Sequence, residues 1–136
     1  DEFTIEIGKA KKICEGEAIT FISYGLGVHW CQEVIQELNL DATLLDLRSL
    51  LPWDKEAVAQ AVKATGKVII VHEDTLEGGI GGEISAWIGE HCFKNLDAPV
   101  MRVGSLDTPI PFNADLELNF MGKARLKEKV EALLNW

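Results

Sequence analysis

The chain has 136 residues, an apolar fraction of 47% and a formal net charge of −9. That length holds one domain with a substantial core. The charge argues against nucleic acid and anionic membranes as partners, because both need a basic patch, and the most basic stretch, Lys9–Lys12, is short. The excess acid suits either solubility or a basic protein partner. Cys14, Cys31 and Cys92 are odd in number and have no C-x-x-C spacing, so neither a disulfide framework nor a zinc site is expected. A reduced, cytoplasmic setting follows from that cysteine usage. No apolar run is long enough to span a bilayer and no signal peptide is visible. The first residue is Asp1 and not Met, as in a piece cut from a longer polypeptide.

In chain order, residues 1–8 read as a linker or entering arm and 9–136 as the domain. Lys9–Cys14 is a short strand with lysines suited to a sheet edge. Ala18–Tyr24 is a buried strand, rich in β-branched and aromatic residues. Gly25 and Gly27 turn it into a helix over Val28–Leu38, whose apolar positions Val28, Cys31, Val34, Ile35 and Leu38 keep helical spacing. Ala42–Leu47 is the next strand. Pro52 and Asp54 open a second helix, with Asp54 as N-cap and Gly66 as its stop. Lys67–His72 holds the run Val68–Val71, apolar on both faces, as in a strand covered by helices on both sides. A helix from Gly82–Glu83 to about Phe93 follows. Ala98–Val103 is a fifth strand, Ser105–Leu118 with Pro109 and Pro111 a loop, and Lys123–Trp136 a final amphipathic helix. Strands alternating with helices predict a mostly parallel sheet covered on both faces.

The polar and glycine cluster at the end of the central strand is where open α/β sheets meet ligands and partners. It does not read as a nucleotide site. From Gly79 the residues run G-I-G-G-E-I, with Ile84 where a dinucleotide fingerprint needs its third glycine, and no Lys-Ser or Lys-Thr follows. Glu73, Asp74, Glu77 and Glu83 add negative charge where a phosphate would sit. The expected use of the glycines is a sharp turn and close packing of the helix on the sheet. His72-Glu73-Asp74 lacks the further ligands a metal needs, since Leu76 stands where H-E-x-x-H requires its second histidine. The trio either contacts a partner or closes a strand end. His91 complements a helix C-terminus, and His29, beside Trp30, reads as packing or interface. No G-x-S-x-G elbow is present. Arg48 has three options: a pair with Asp46, a pair with Asp54, or a contact across an interface. Trp53 and Trp87 are expected in the core and Trp136 at the surface, where tryptophan commonly anchors binding.

Six stretches in register carry a family resemblance: IEIGKAKKICEGEAITFISYG, DLRSLLPWD, TGKVIIVHED, GGIGGEISA, LDAPVMRVGSLDTPIPF and the terminal helix. Together they resemble the C-terminal domain of the beta subunit of a 2-oxo acid dehydrogenase decarboxylase component, of the pyruvate and branched-chain type. The same domain closes transketolase and deoxyxylulose-phosphate synthase, the alternative parents. A third reading, from the residues alone, is an independent nucleotide- or flavin-binding α/β domain at Gly25–Gly27 or Gly78–Gly82. The resemblance implies a three-layer α/β/α fold with a five-stranded mixed sheet, order 1-3-2-4-5, first strand antiparallel. It also implies that thiamine diphosphate and Mg belong to the parent enzyme and bind in other domains. No catalytic, cofactor or metal residue is therefore assigned here, and the isolated domain is expected to be inactive. The implied partners are the alpha subunit or remaining domains, a second copy across a two-fold axis, and the subunit-binding domain of the dihydrolipoyl acyltransferase. Trp136 and Asp97 are the candidate docking residues, and His72, Glu73 and Arg48 the other candidate interface positions.

Overall fold

A computed structural model describes residues 3–136. Five strands form one sheet: β1 (Lys11–Cys14), β2 (Ile19–Ser23), β3 (Ala42–Asp46), β4 (Val68–Thr75) and β5 (Met101–Ser105). Their order is β1-β3-β2-β4-β5, with β1 antiparallel to β3 and the other pairs parallel. Helices α1 (Leu26–Glu37), α2 (Lys55–Thr65), α3 (Ile80–Cys92), α4 (Ala114–Phe120) and α5 (Lys123–Leu134) complete the chain, with a short 3₁₀ turn at Phe93–Asn95. The three layers, the strand order and the antiparallel first strand are those the resemblance implied.

The central strands are apolar on both faces because each face meets its own helices. Phe21, Leu44, Ile69 and Val71 pack with α1 and α5, through Val28, Val34, Leu126, Val130 and Leu133. Ile22, Leu45, Val68 and Ile70 pack with α2 and α3, through Val58, Val62, Ile84 and Ile88. Lysine-bearing β1 lies on the sheet edge, as its composition predicts.

Several boundaries move for identifiable reasons. β4 runs three residues past His72, because Thr75 pairs with Ser105 and the Leu76 amide donates to the Ser105 carbonyl. β5 starts at Met101 and not at Ala98; Pro99 has no N–H for a ladder. The expected loop after β5 contains α4, whose cap is Asn113: its side chain accepts from the amides of Asp115 and Leu116. Helical periodicity hides α4 in the sequence, because Leu116 and Leu118 are exposed. α1 and α3 begin earlier than expected, at Leu26 and Ile80, and α5 stops at Leu134. Trp53 and Trp87 are half-buried, not core. Their rings pack against the margin of the core beneath α2 and α3 and meet edge to face 5.1 Å apart, and the Lys55 ammonium lies 5.7 Å and 5.8 Å from them.

Asp54 does cap α2, accepting from the Ala57 amide at 3.0 Å, and its other oxygen takes the Ala10 amide at 3.0 Å. It thereby joins the start of the chain to α2. Burial alone would raise this carboxyl's pKa, but the Ala57 and Ala10 amides and the Lys9 charge outweigh it and hold the value below the usual carboxylate range. Asp54→Ala is expected to lower stability by about 1–2 kcal/mol in urea unfolding, with Asp54→Asn recovering part of the loss.

Candidate functional site

In a sheet of order β1-β3-β2-β4-β5 the chain leaves β2 toward one side and β4 toward the other, so a crevice opens between their C-terminal ends. The residues there come from Tyr24–Gly27 after β2 and from His72–Gly82 around the end of β4.

The strand alternation divides the His-Glu-Asp trio between the two faces. Glu73 points toward α1, and its carboxylate accepts from the Leu26 amide at 3.4 Å. α1 has no cap of its own, since Gly25 precedes it with φ of 57°. Glu73 therefore supplies the negative group that the helix N-terminus favours. Beneath it Ser23 donates to the Val71 carbonyl at 2.8 Å, and a Cβ at Gly27 would lie 2.5 Å from the Ser23 Oγ. Only glycine lets α1 approach the sheet there.

His72 points the other way, under the first turn of α3, and has no exposed surface. Its Nδ1 lies 3.1 Å from the Asp74 carbonyl, which can only accept, so Nδ1 carries the hydrogen. The Nε2 atom is buried without a hydrogen-bond partner. Added Cβ atoms at Gly79, Gly81 and Gly104 would lie 2.8 Å, 2.5 Å and 3.0 Å from the ring. The glycine cluster is thus a cradle for an imidazole. This matches the sequence expectation that the glycines serve close helix–sheet packing. Burial lowers the His72 pKa, with nearby Arg102 acting in the same direction and Asp74 against it. The Tyr24 phenol, whose ring centroid is 6.2 Å from that of His72, is raised by burial and by Asp74 and Glu73. Arg102 donates to the Leu76 carbonyl at 3.0 Å and ties the loop to β5.

This crevice does not fit a diphosphate. The α1 N-terminus already faces Glu73, and Asp74, Glu77 and Glu83 surround the start of α3. Among the described residues no group of three or more His, Cys, Asp or Glu is placed to hold a metal. A recess of about 670 Å³ lies elsewhere, between the β1–β2 turn and α2. It holds none of the candidate residues, and its Lys12 is already paired with Glu15 at 2.7 Å.

The five candidate interface residues fall into two groups. Arg48 stands just past the end of β3, on the same sheet edge as His72 and Glu73, with φ of 60°. It chooses Asp46: its amide donates to Asp46 at 3.1 Å and its Nε lies 3.9 Å away from the same carboxylate. The Asp54 oxygens are occupied by backbone amides. Glu73 is exposed; His72 is not, so it offers no surface to a partner in this domain. Its polar neighbours in sequence hid that burial.

Trp136 and Asp97 lie at the opposite edge. The Lys67 ammonium donates to the Leu134 carbonyl at 2.8 Å, and the Asp97 amide donates to the Gly66 carbonyl at 2.8 Å. The adjacent residues Gly66 and Lys67 thus anchor both segments just before β4. Trp136 is 69% exposed and Asp97 is exposed. Seven residue steps along β4 put about 23 Å between the two edges. A surface that sequence reading missed is the apolar stretch Leu106, Ile110, Phe112, Leu116 and Leu118, all exposed. Its Pro-Ile-Pro-Phe run was the available signal.

The sequence profile described as "Transketolase, C-terminal domain" matches residues 8–125. The chain belongs to this family. Among the curated relatives of this transketolase C-terminal domain is the 2-oxoisovalerate dehydrogenase subunit beta of Bacillus subtilis, 43% identical over 98% of this chain and 41% of its own length. The protein of that name from Pseudomonas aeruginosa is 40% identical over 91% of this chain and 35% of its own. The pyruvate dehydrogenase E1 component subunit beta of Porphyra purpurea is 41% identical over 86% and 36%. The chain thus spans about two-fifths or less of the relatives' length. A solved split-gene transketolase, described as an inactive beta4 tetramer, superposes with a TM-score of 0.81 over 98% of this chain and 44% of its own, at 24% identity. That likeness shows the fold alone. Among the described residues no helix is long and apolar enough to cross a membrane.

Proposed function

We propose that this domain is the C-terminal part of the beta subunit of a thiamine-diphosphate-dependent 2-oxo acid dehydrogenase. The whole enzyme decarboxylates a 2-oxo acid and passes its acyl group to lipoyl-lysine. The observation that carries the reading is the 43% identity to a dehydrogenase beta subunit over 98% of the chain. It exceeds the 24% shared with the split-gene transketolase and so favours the dehydrogenase over the transketolase parent. The crevice between β2 and β4 supports the division of labour: its helix N-terminus faces Glu73, which disfavours a nucleotide, a flavin or a thiamine diphosphate held here. The cofactor and Mg belong to other domains of the parent, and no chemical step is assigned to this chain.

The domain's role is assembly. It contacts the remaining domains or the alpha subunit, pairs with a second copy across a two-fold axis, and docks the subunit-binding domain of the acyltransferase. Glu73 and Arg48 belong to the contacts of one sheet edge. Exposed Trp136 and Asp97 belong to the docking contacts of the other. A basic partner would form charge-assisted pairs there. Calorimetric titration with the cognate subunit-binding domain is expected to give binding that weakens from low to physiological salt and disappears on removal of Trp136. Binding that survives removal of Trp136 takes docking away from this edge. No binding at either salt removes the docking role and returns the transketolase alternative, which has no acyltransferase partner.

A further inference from the structure

The His72 ring lies on the face of β4 that carries Val68 and Ile70, in contact with the first turn of α3 and with Gly104 of β5. Its Nδ1–H is spent on the Asp74 carbonyl, and Nε2 ends against the Gly79 and Gly81 backbone with no acceptor within reach. The neutral ring tolerates this, because its Nε2 bears a lone pair and needs no acceptor. A protonated ring does not: the new Nε2–H would be a buried cationic donor without a partner.

The surrounding charges do not relieve it. On β4, Asp74 lies beside the ring and favours the cation, while Glu73 faces α1 on the opposite side of the sheet. On β5, Arg102 repels the cation. Beyond β2 the neighbour is the Tyr24 phenol. On α3 the only acid of the first turn is exposed Glu83, and the positive end of that helix dipole opposes a cation beneath it. Glu77 in the intervening loop is exposed, and its amide is held by Asp107 at 2.9 Å.

We propose that His72 is a proton-operated latch beneath α3: neutral, it lets Gly79–Gly81 close onto the sheet, and protonated, it forces that first turn and the Leu76–Gly78 loop to open so that Nε2–H can reach water. The burial-lowered pKa fits this order of events. The unfolded imidazole takes its proton near its ordinary pKa of about 6.5, and the closed form only at lower pH. The closed turn is therefore fully stable above about pH 6.5 and loses stability as the pH falls from there through the folded value. The sheet edge that carries Glu73 would change shape with it.

The test is amide hydrogen exchange by NMR on the full 136-residue chain at about pH 7.5 and pH 5.5, corrected for intrinsic rates. Protection of the Gly82 amide, which donates to the Gly79 carbonyl, and of Ile84 and Ser85, whose helical acceptors are Ile80 and Gly81, is expected to fall roughly tenfold or more in acid, the equivalent of one pKa unit of coupling. Protection in β2 and α5 is expected to stay unchanged. His72→Gln, which cannot titrate, is expected to abolish the pH dependence. Flat protection at Gly82, Ile84 and Ser85 in the wild type overturns the latch, and so does an unchanged acid loss in His72→Gln. If that variant fails to fold, the ring-proton shifts of wild-type His72 decide. Titration in or above the ordinary imidazole range while the α3 amides stay protected overturns the proposal. Silence of the ring until those amides open supports it.

Discussion

Gly81→Val is expected to cost about 3 kcal/mol or more in urea unfolding, well beyond the weak helix propensity of valine. A Cβ at Gly81 would stand 2.5 Å from His72 Nε2 and 2.8 Å from its Cδ2. The ring cannot retreat, because Gly79 and Gly104 close on its other sides. Overpacking of this kind in a filled core costs about 1–3 kcal/mol, and the branched side chain brings two further carbons. The partner substitution makes the result specific. His72→Ala alone leaves a cavity and is expected to cost about 2 kcal/mol. Combined with Gly81→Val, the new methyls occupy the vacated ring volume, so the double variant should be more stable than the sum of the singles by at least about 1 kcal/mol. Gly79→Val provides the contrast. Its Cβ would collide with the Thr75 carbonyl oxygen as well as the ring, and removing the ring leaves the backbone clash in place. Strict additivity for His72 and Gly81 would mean that the glycines are there for some purpose other than the imidazole.

Arg125→Ala is expected to release α4 and the apolar segment before it. The half-buried guanidinium donates to four carbonyls: Asn119 at 2.8 Å, Gly104 at 3.2 Å, Phe120 at 3.0 Å and Met121 at 3.2 Å. Three of these belong to the end of α4 and the turn into α5, and the fourth to β5. No other side chain in the described residues gathers so many. Losing it leaves carbonyls unsatisfied and is expected to cost about 2–3 kcal/mol. Arg125→Lys should not recover it, since a single ammonium cannot replace a planar fork spread over four acceptors. Hydrogen exchange would locate the effect: protection should collapse at the α4 amides and Leu106, whose amide donates to the Phe120 carbonyl, while β2 and β4 hold. A uniform loss across the sheet would show that Arg125 supports the whole fold and not this segment. The stake is the exposed surface of Ile110, Phe112, Leu116 and Leu118, with Phe112 at 107% relative exposure. Arg125 and the Asn113 cap hold those side chains in place although nothing among the described residues covers them.

Much of this was legible in the residues themselves. The run Val68–Val71, apolar on both faces, required a strand between two helical layers, and the core places it there. Asp54 and Gly66 bracketed α2 by local backbone chemistry, which needs no distant partner. Six stretches in register were enough for the family. What stayed hidden involves residues far apart in sequence. Glu73 caps a helix that starts at Leu26; Arg125 holds a carbonyl at Gly104; Gly104 leaves room for His72. A polar triplet such as His72-Glu73-Asp74 looks like one exposed feature in sequence, yet strand alternation buries His72 under α3 and sends Glu73 to α1. The grouping of Trp136 with Asp97, apart from Glu73 and Arg48, follows only from where β4 begins and ends in the sheet. Local propensity and hydrophobic period act over a few residues, so the sequence alone determined the five strands, the helices other than α4, and the family. Packing joins segments dozens of residues apart, so only the tertiary structure decided which polar side chains are buried, which helix each one serves, and which candidates share a surface.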